Sequence, residues 1–212
     1  MRVSWRTDDR ELRRDVALVC LADGIVGVSF GATAVAGGLP RWLPIVMSLF
    51  VFAGGAQFAA VSVVLAGGSP VAAVAAGAVL NTRLLPYGLA VADVTSGGVW
   101  KRLIGAQVTT DESVAFALRQ PDPYLRRTAF WTCGIALFTA WNVAVLLGVL
   151  AGTLVRDTGA FGLDATFPAV LLALALPTLT DRRTAAAAGT GAAAAVALTP
   201  LLPAGFSFFC LP

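Results

Sequence analysis

Long apolar runs separated by short clusters of charge constrain this chain more than any other feature. A helix needs roughly 20 apolar residues to cross a hydrocarbon core of about 30 Å, and residues 16–38, 42–66, 70–92 and 129–155 all reach that length. With 58% hydrophobic and only 13% charged residues, the chain has too little charge to cover a water-soluble globule. Lipid is therefore the solvent for much of it. The expected fold is all-α, a polytopic transmembrane bundle, since helices satisfy their own backbone hydrogen bonds in a bilayer. The net charge of +3 does not point to nucleic acid, because the arginines stand at the ends of apolar runs, where the positive-inside bias puts them.

Weaker apolar runs follow at residues 165–180 and 184–198, after a loop at 156–164, and residues 200–212 are short for a span. The expectation is six or seven hydrophobic segments forming one transmembrane transport domain over residues 16–212, with a basic cytoplasmic segment at 1–15. That leading segment mixes five arginines with four acids and has no cleavage site behind a short apolar core, so it does not read as a signal peptide.

Counting Lys and Arg sets the orientation. Five lie near the N-terminus, five between residues 93 and 127, and two at Arg182 and Arg183, against single residues at Arg41 and Arg156. If the basic loops share the cytoplasmic side of an inner (plasma) membrane, an even number of crossings separates the N-terminus from Lys101. Three uniform helices over residues 16–92 break that rule. A broken or re-entrant segment repairs it, as does a further span within 99–118. The interruption at residues 81–86, with Asn81, Arg83 and Pro86 in mid-run, makes a break physically reasonable, because proline removes a backbone hydrogen bond and crowds the carbonyl one turn back. Broken helices persist in membranes where they line a protein cavity. The stretch 93–127 reads either as a cytoplasmic helical hairpin or as a segment that dips into the membrane.

Charged groups in mid-membrane are costly, roughly 2.5–3.5 kcal/mol even on insertion scales, so Asp23 and Arg83 are candidates for function. Arg83 has a plainer reading as a snorkelling or structurally paired residue, with Asp23 one possible partner. Gln57 and Asn81 can donate and accept hydrogen bonds and suit a zwitterionic solute, or they join helices. Asp111 and Glu112 follow Thr109 and Thr110, which alone is an ordinary helix start. Tyr87, Trp42, Trp100 and Trp131 read as interfacial anchors or packing residues, whereas Trp141 and Asn142 lie well inside their run. Small residues at Gly24, Gly27 and Gly31, at Gly54 and Gly55, and at Gly148 and Gly152 suit close helix packing. Cys20, Cys133 and Cys210 lie far apart in apolar segments and suggest packing rather than a disulfide framework. Histidine is absent. No cofactor or metal site is expected, and no nucleophile, paired-carboxylate or phosphate-loop pattern supports an enzyme.

The strings SLFVFAGGAQFAAVSVVLAGG (48–68), LNTRLLPYGLA (80–90), TTDESVAFAL (109–118), FWTCGIALFTAWNVAVLLGVLAG (130–152) and FGLDATFPAVLLAL (161–174) together resemble the AzlC family. That family is the large, BrnF-type subunit of two-component branched-chain amino acid exporters. The resemblance covers nearly the whole chain in order. Its most specific parts are the small-residue run ending at Gln57, the Asn81/Arg83 pair, the Asp111/Glu112 pair and the Gly162, Leu163, Asp164 triplet.

The resemblance implies a permease exporting leucine, isoleucine, valine and analogues, with methionine among the substrates, driven by the proton motive force. It also implies a small hydrophobic partner of AzlD type, for which Gly24, Gly27 and Gly31 and the run 184–196 are contact candidates. On this reading Gln57, Asn81, Arg83, Tyr87, Trp141 and Asn142 line the substrate pathway. Asp111, Glu112 and, by burial alone, Asp23 serve proton coupling or a gate. The ending FSFFCLP departs from the family pattern, in which a further apolar helix is expected. A competing reading is a non-transporting assembly or regulatory membrane subunit, motivated by the same small-residue faces.

Overall fold

The structure, a computed structural model, describes residues 9–154 and a few positions between 185 and 193. Among the described residues there are nine helices and no strand: α1 (Asp9–Ala36), α2 (Trp42–Phe50), α3 (Gly54–Leu65), α4 (Pro70–Asn81), α5 (Leu84–Ala90), the single turn α6 (Ala92–Thr95), α7 (Val99–Gln107), α8 (Asp111–Leu118) and α9 (Pro123–Leu154). The expectations for residues 1–8, for the loop 156–164 with its Gly162 to Asp164 triplet, for the runs 165–180 and 200–212 and for most of 184–198 lie outside the described residues. Two helices, α1 and α9, are long and apolar enough to cross a bilayer.

These two form the frame, and they run parallel. A side chain at Gly27 would press on Ala144 at 3.0 Å, one at Gly31 would strike the Val145 carbonyl, one at Gly148 the Val28 carbonyl, and one at Gly152 would come within 2.8 Å of the Ala32 carbonyl. Residue numbers rise together on both helices, which fixes the parallel sense. Close backbone approach through small residues is how helices associate without a hydrophobic driving force. Gly24 is the exception in the expected packing set, because nothing lies within 4 Å of a side chain placed there. The start of α9 is set by Asp122, whose Oδ1 accepts from the Tyr124 and Leu125 amides at 2.9 and 3.0 Å, with Pro123 in the first turn.

Two parallel helices require the chain between them to return once. The return is made by broken pieces. α2 runs antiparallel to α9, since Ser48 bonds Asn142 and Phe52 packs on Phe138. The chain then reverses at Phe52, whose φ of +28° is a left-handed conformation costing about 1–2 kcal/mol for a residue with a Cβ. Burial of its ring against Phe138, with centroids 5.0 Å apart, holds it there. α3 climbs back alongside α1, with Phe58 against Phe30 and Leu65 against Gly37. Residues 42–66, expected as one helix, are therefore a helical hairpin, α2 and α3, that turns back midway along α9.

A tight turn at Gly67 (φ +81°) leads to Ser69, which caps α4 by accepting from the Ala72 amide at 3.2 Å, with Pro70 in the first turn. α4 descends beside α3, a side chain placed on Gly77 starting 3.4 Å from the Ala56 carbonyl. The helix stops at Asn81, because Pro86 cannot donate to the carbonyl of Thr82 and its ring would crowd it. α5 resumes at Leu84 and reaches the opposite end, where the Ala90 carbonyl accepts from Arg126 and Asp93 pairs with Arg126 at 3.4 Å. Thus α4 and α5 together make the return.

From that end α7 enters beside α9, with Gly105 near Trp131 and Gly134 near Val108. Thr110 starts α8 by accepting from the Ser113 amide, while the Ser113 hydroxyl accepts from the Thr110 amide, at 3.2 and 2.9 Å. α8 runs back to the level of Asp122. Residues 93–127 thus form a helical hairpin, α7 and α8, packed along the first half of α9.

Along this route α1 runs the length of the frame once, and α4 and α5 together run it back, before Lys101. Arg10, Arg13, Arg14, Lys101, Arg102, Arg119, Arg126 and Arg127 gather at one end of the frame, and Arg41 stands at the other.

The frame makes a contrast measurable. Gly148→Leu drives a side chain into the backbone of α1 and should destabilise the protein by about 3 kcal/mol or more, whereas Gly24→Ala, with open space, should be neutral or stabilise by up to about 1 kcal/mol. Unfolding midpoints and size-exclusion profiles in detergent check the pair. Equal tolerance of both substitutions would contradict the parallel contact.

Candidate functional site

The three backbone breaks, at residues 51–53, 82–83 and 108–110, lie at one level midway along α9. Each exposes helix ends that cannot all bond internally, and polar side chains gather there. Gln107, at the end of α7, donates from Nε2 to the Leu49 carbonyl at 2.8 Å and so ties one hairpin tip to the other. Ser48, buried on α2, donates to Asn142 Oδ1 at 2.7 Å, while Asn142 Nδ2 donates to the Phe138 carbonyl at 2.8 Å. Asn142 thus anchors the first tip to α9.

Arg83, in the break between α4 and α5, extends to the start of α8. Its Nη1 donates to Asp111 Oδ2 at 2.9 Å, so Asp111 and not Asp23 is its ion-pair partner. Both side chains are partly exposed, at 47% and 40%, which leaves them reachable within the group. Nη2 faces α3, 3.8 Å from where a side chain on Gly55 would begin. Asp23 on α1 lies within electrostatic range of Glu112 and Asp111. Arg83 thus pairs with one of three mutually interacting carboxylates, two of which, Asp111 and Glu112, stand at the α8 N-terminus, where the helix dipole favours negative charge.

Gln57 is fully buried in the first turns of α3 and accepts from Trp141 Nε1 at 3.0 Å. An indole N–H only donates, so the carboxamide oxygen must face the tryptophan. The Gln57 Nε2 group then has no partner among the described residues, and neither has the buried Oδ1 of Asn81. Buried polar groups are almost always hydrogen-bonded, which makes an unused donor and an unused acceptor informative. The Trp141 ring also lies against Gly54, 2.9 Å from a would-be Cβ, and stacks on Phe30 with centroids 6.3 Å apart. A side chain at Gly54 would displace that ring.

The structure thus brings together Gln57, Arg83, Trp141, Asp111, Glu112 and Asp23, with Gly54 and Gly55 beneath them. Asn81 reaches the same level at the end of α4. Tyr87 does not join them; it packs with the Val91, Val108 and Phe130 cluster nearer the basic end. Ser48 and Gln107 were missed in the sequence reading, although a lone glutamine in an apolar stretch just before Thr109 and Thr110 was a usable signal.

The AzlC protein family matches residues 18–155, a region that holds every break and every member of the polar group. The chain belongs to the AzlC family. It is also 28% identical over 131 residues to uncharacterized membrane proteins of two Helicobacter pylori strains, J99 / ATCC 700824 and ATCC 700392 / 26695, covering 61% of this chain and 58% of theirs. The matched region is thus less than two thirds of the length of these relatives. No solved structure matches. The AzlC family is transport-associated and both relatives are named membrane proteins, in agreement with the two helices of this AzlC-family chain that are long and apolar enough to cross a bilayer.

The Trp141–Gln57 bond is testable by a double-mutant cycle of Trp141→Phe and Gln57→Leu. The two changes should be non-additive by about 1 kcal/mol in detergent unfolding, since each removes the same bond. Strict additivity would contradict the bond.

Proposed function

We propose that the chain is the permease subunit of an exporter for branched-chain amino acids and their analogues, methionine included. The observation that carries this reading is the meeting of three backbone breaks around Arg83, with an unused donor at Gln57 and an unused acceptor at Asn81. Discontinuous helices meeting near the midplane are the usual construction of a solute site in secondary transporters. The donor and acceptor match the carboxylate and ammonium of an amino acid, and the apolar surroundings of Phe30, Phe52 and Trp141 suit an aliphatic side chain.

Asp111, paired with Arg83, and Asp23 and Glu112, within electrostatic range of it or of each other, supply proton-accepting oxygens, which supports coupling to the proton motive force. The asymmetry of basic residues favours a cytoplasmic N-terminus in the inner (plasma) membrane. A transport domain from residue 16 onwards, acting with a small AzlD-type subunit, completes the reading. Gly27 and Gly31 are used in packing against α9, so the partner contact is assigned to surfaces other than these two.

Cells loaded with a leucine-containing dipeptide should release free leucine only when this chain and its partner are both present. Arg83→Ala should lower that release by about tenfold or more, the scale of losing a charge-assisted hydrogen bond to solute, while membrane insertion and partner binding persist. Unchanged release on deletion would reject the exporter reading. Loss of assembly with export otherwise intact would favour a non-transporting assembly subunit.

A further inference from the structure

The first turn of α3 differs from the other helix start at this level. At α8, Thr110 caps the first turn and Asp111 and Glu112 bring negative charge to it. At α3 the cap position is Ala53, no side chain caps the helix, and the first turn carries no acid. The amides of Gly54, Gly55 and Ala56 therefore point out of the helix with no intrahelical acceptor, at the positive end of a 12-residue dipole.

Two more donors converge on the same turn. Side chains on a helix lean toward its N-terminus, so Gln57 reaches back over the first turn. Trp141, which touches Gly54, holds the Gln57 oxygen, and Nε2 is left unpartnered in a residue with 0% exposure. Arg83 approaches from the other side, with Nη1 engaged by Asp111 and Nη2 directed toward Gly55. A guanidinium facing the positive end of a helix is repulsive unless an anion lies between them. Gly55 leaves that gap open, because a side chain there would extend toward Nη2.

On the opposite wall, Asn81 lies one turn beyond Gly77 on the same face of the antiparallel α4. It is thereby level with the start of α3, and its Oδ1 is buried without a donor.

We propose that the first turn of α3 is a carboxylate seat, in which the Gly54 and Gly55 amides, Gln57 Nε2 and Arg83 Nη2 hold the carboxylate of an α-amino acid while Asn81 Oδ1 accepts from its ammonium. This rests on the exporter reading for the identity of the solute, but not for the existence of the seat. It assigns an orientation: carboxylate toward α3, ammonium toward the end of α4. The Arg83–Asp111 pair persists when solute binds, since the two guanidinium nitrogens serve different partners.

The full chain in lipid nanodiscs, titrated calorimetrically with leucine, 4-methylpentanoate (no ammonium) and leucinamide (no carboxylate), tests this. Leucine and 4-methylpentanoate should bind, and leucinamide should bind at least about tenfold more weakly than leucine, the cost of leaving charged and buried donors unpaired. Gln57→Glu keeps the acceptor for Trp141 but replaces the free donor by an anionic oxygen, and should weaken both carboxylates by about tenfold or more. Gly55→Ala, which has ordinary contact space at 3.8 Å, should fold normally and also weaken both. Asn81→Leu should weaken leucine while leaving 4-methylpentanoate within about twofold.

Leucinamide binding as well as leucine, or leucine binding that ignores Gln57→Glu and Gly55→Ala in folded protein, overturns the seat and leaves the exporter reading standing. Binding of 4-methylpentanoate that depends on Gln57, without binding of leucine, supports the seat and overturns the amino acid assignment. Absence of binding by all three probes overturns the proposal.

Discussion

A backbone amide or carbonyl that lacks a partner cannot face lipid, where each unsatisfied group costs several kcal/mol. This constraint organises the described part of the chain. Once helices break at residues 51–53, 82–83 and 108–110, their ends must be brought inside protein, and the cheapest arrangement is to bring them to one another. Gln107 caps the Leu49 carbonyl, Thr110 and Ser113 close the start of α8, and Arg83 bridges its own break to Asp111. Of the side-chain groups left unsatisfied among the described residues, Gln57 Nε2 and Asn81 Oδ1 stand at this level, beside the first turn of α3.

The parallel pair α1 and α9 makes that convergence possible. Glycines at positions 27, 31, 148 and 152 let the two backbones touch, and a parallel pair forces the intervening chain to return only once. Four short helices, α2 with α3 and α7 with α8, form two hairpins that enter from opposite ends, each too short to cross alone. Trp141 joins the frame to the site, since one indole packs on Phe30, rests on Gly54 and bonds Gln57.

The sequence made some of this legible. Pro86 announced the break four residues upstream of it, and Thr109, Thr110 and Asp111 carried a readable helix start. The arginine distribution asked for an even number of passages before Lys101, and the basic residues described gather at one end of the α1 and α9 frame. The reversal at Phe52 was not legible, because a left-handed conformation in a phenylalanine is held by burial against Phe138 rather than by local propensity, so residues 42–66 read as one helix. For the candidate site, Gln57, Asn81 and Arg83 stood out as polar residues in apolar runs. That Arg83 pairs with Asp111 rather than Asp23, and that Tyr87 packs elsewhere, depends on distances across 28 and more residues that periodicity does not carry.

The central claim is that residues 42–65 turn back within the membrane instead of crossing it. Single cysteines at Arg41, Ser69, Ser96 and Pro121, placed in a variant lacking the native cysteines and labelled with a membrane-impermeant maleimide in oriented vesicles, test it directly. The fold predicts that positions 41 and 69 label from one side, and positions 96 and 121 from the other. Labelling of positions 41 and 69 from opposite sides would mean that this segment crosses the bilayer, and would contradict the convergence of breaks on which the site is built.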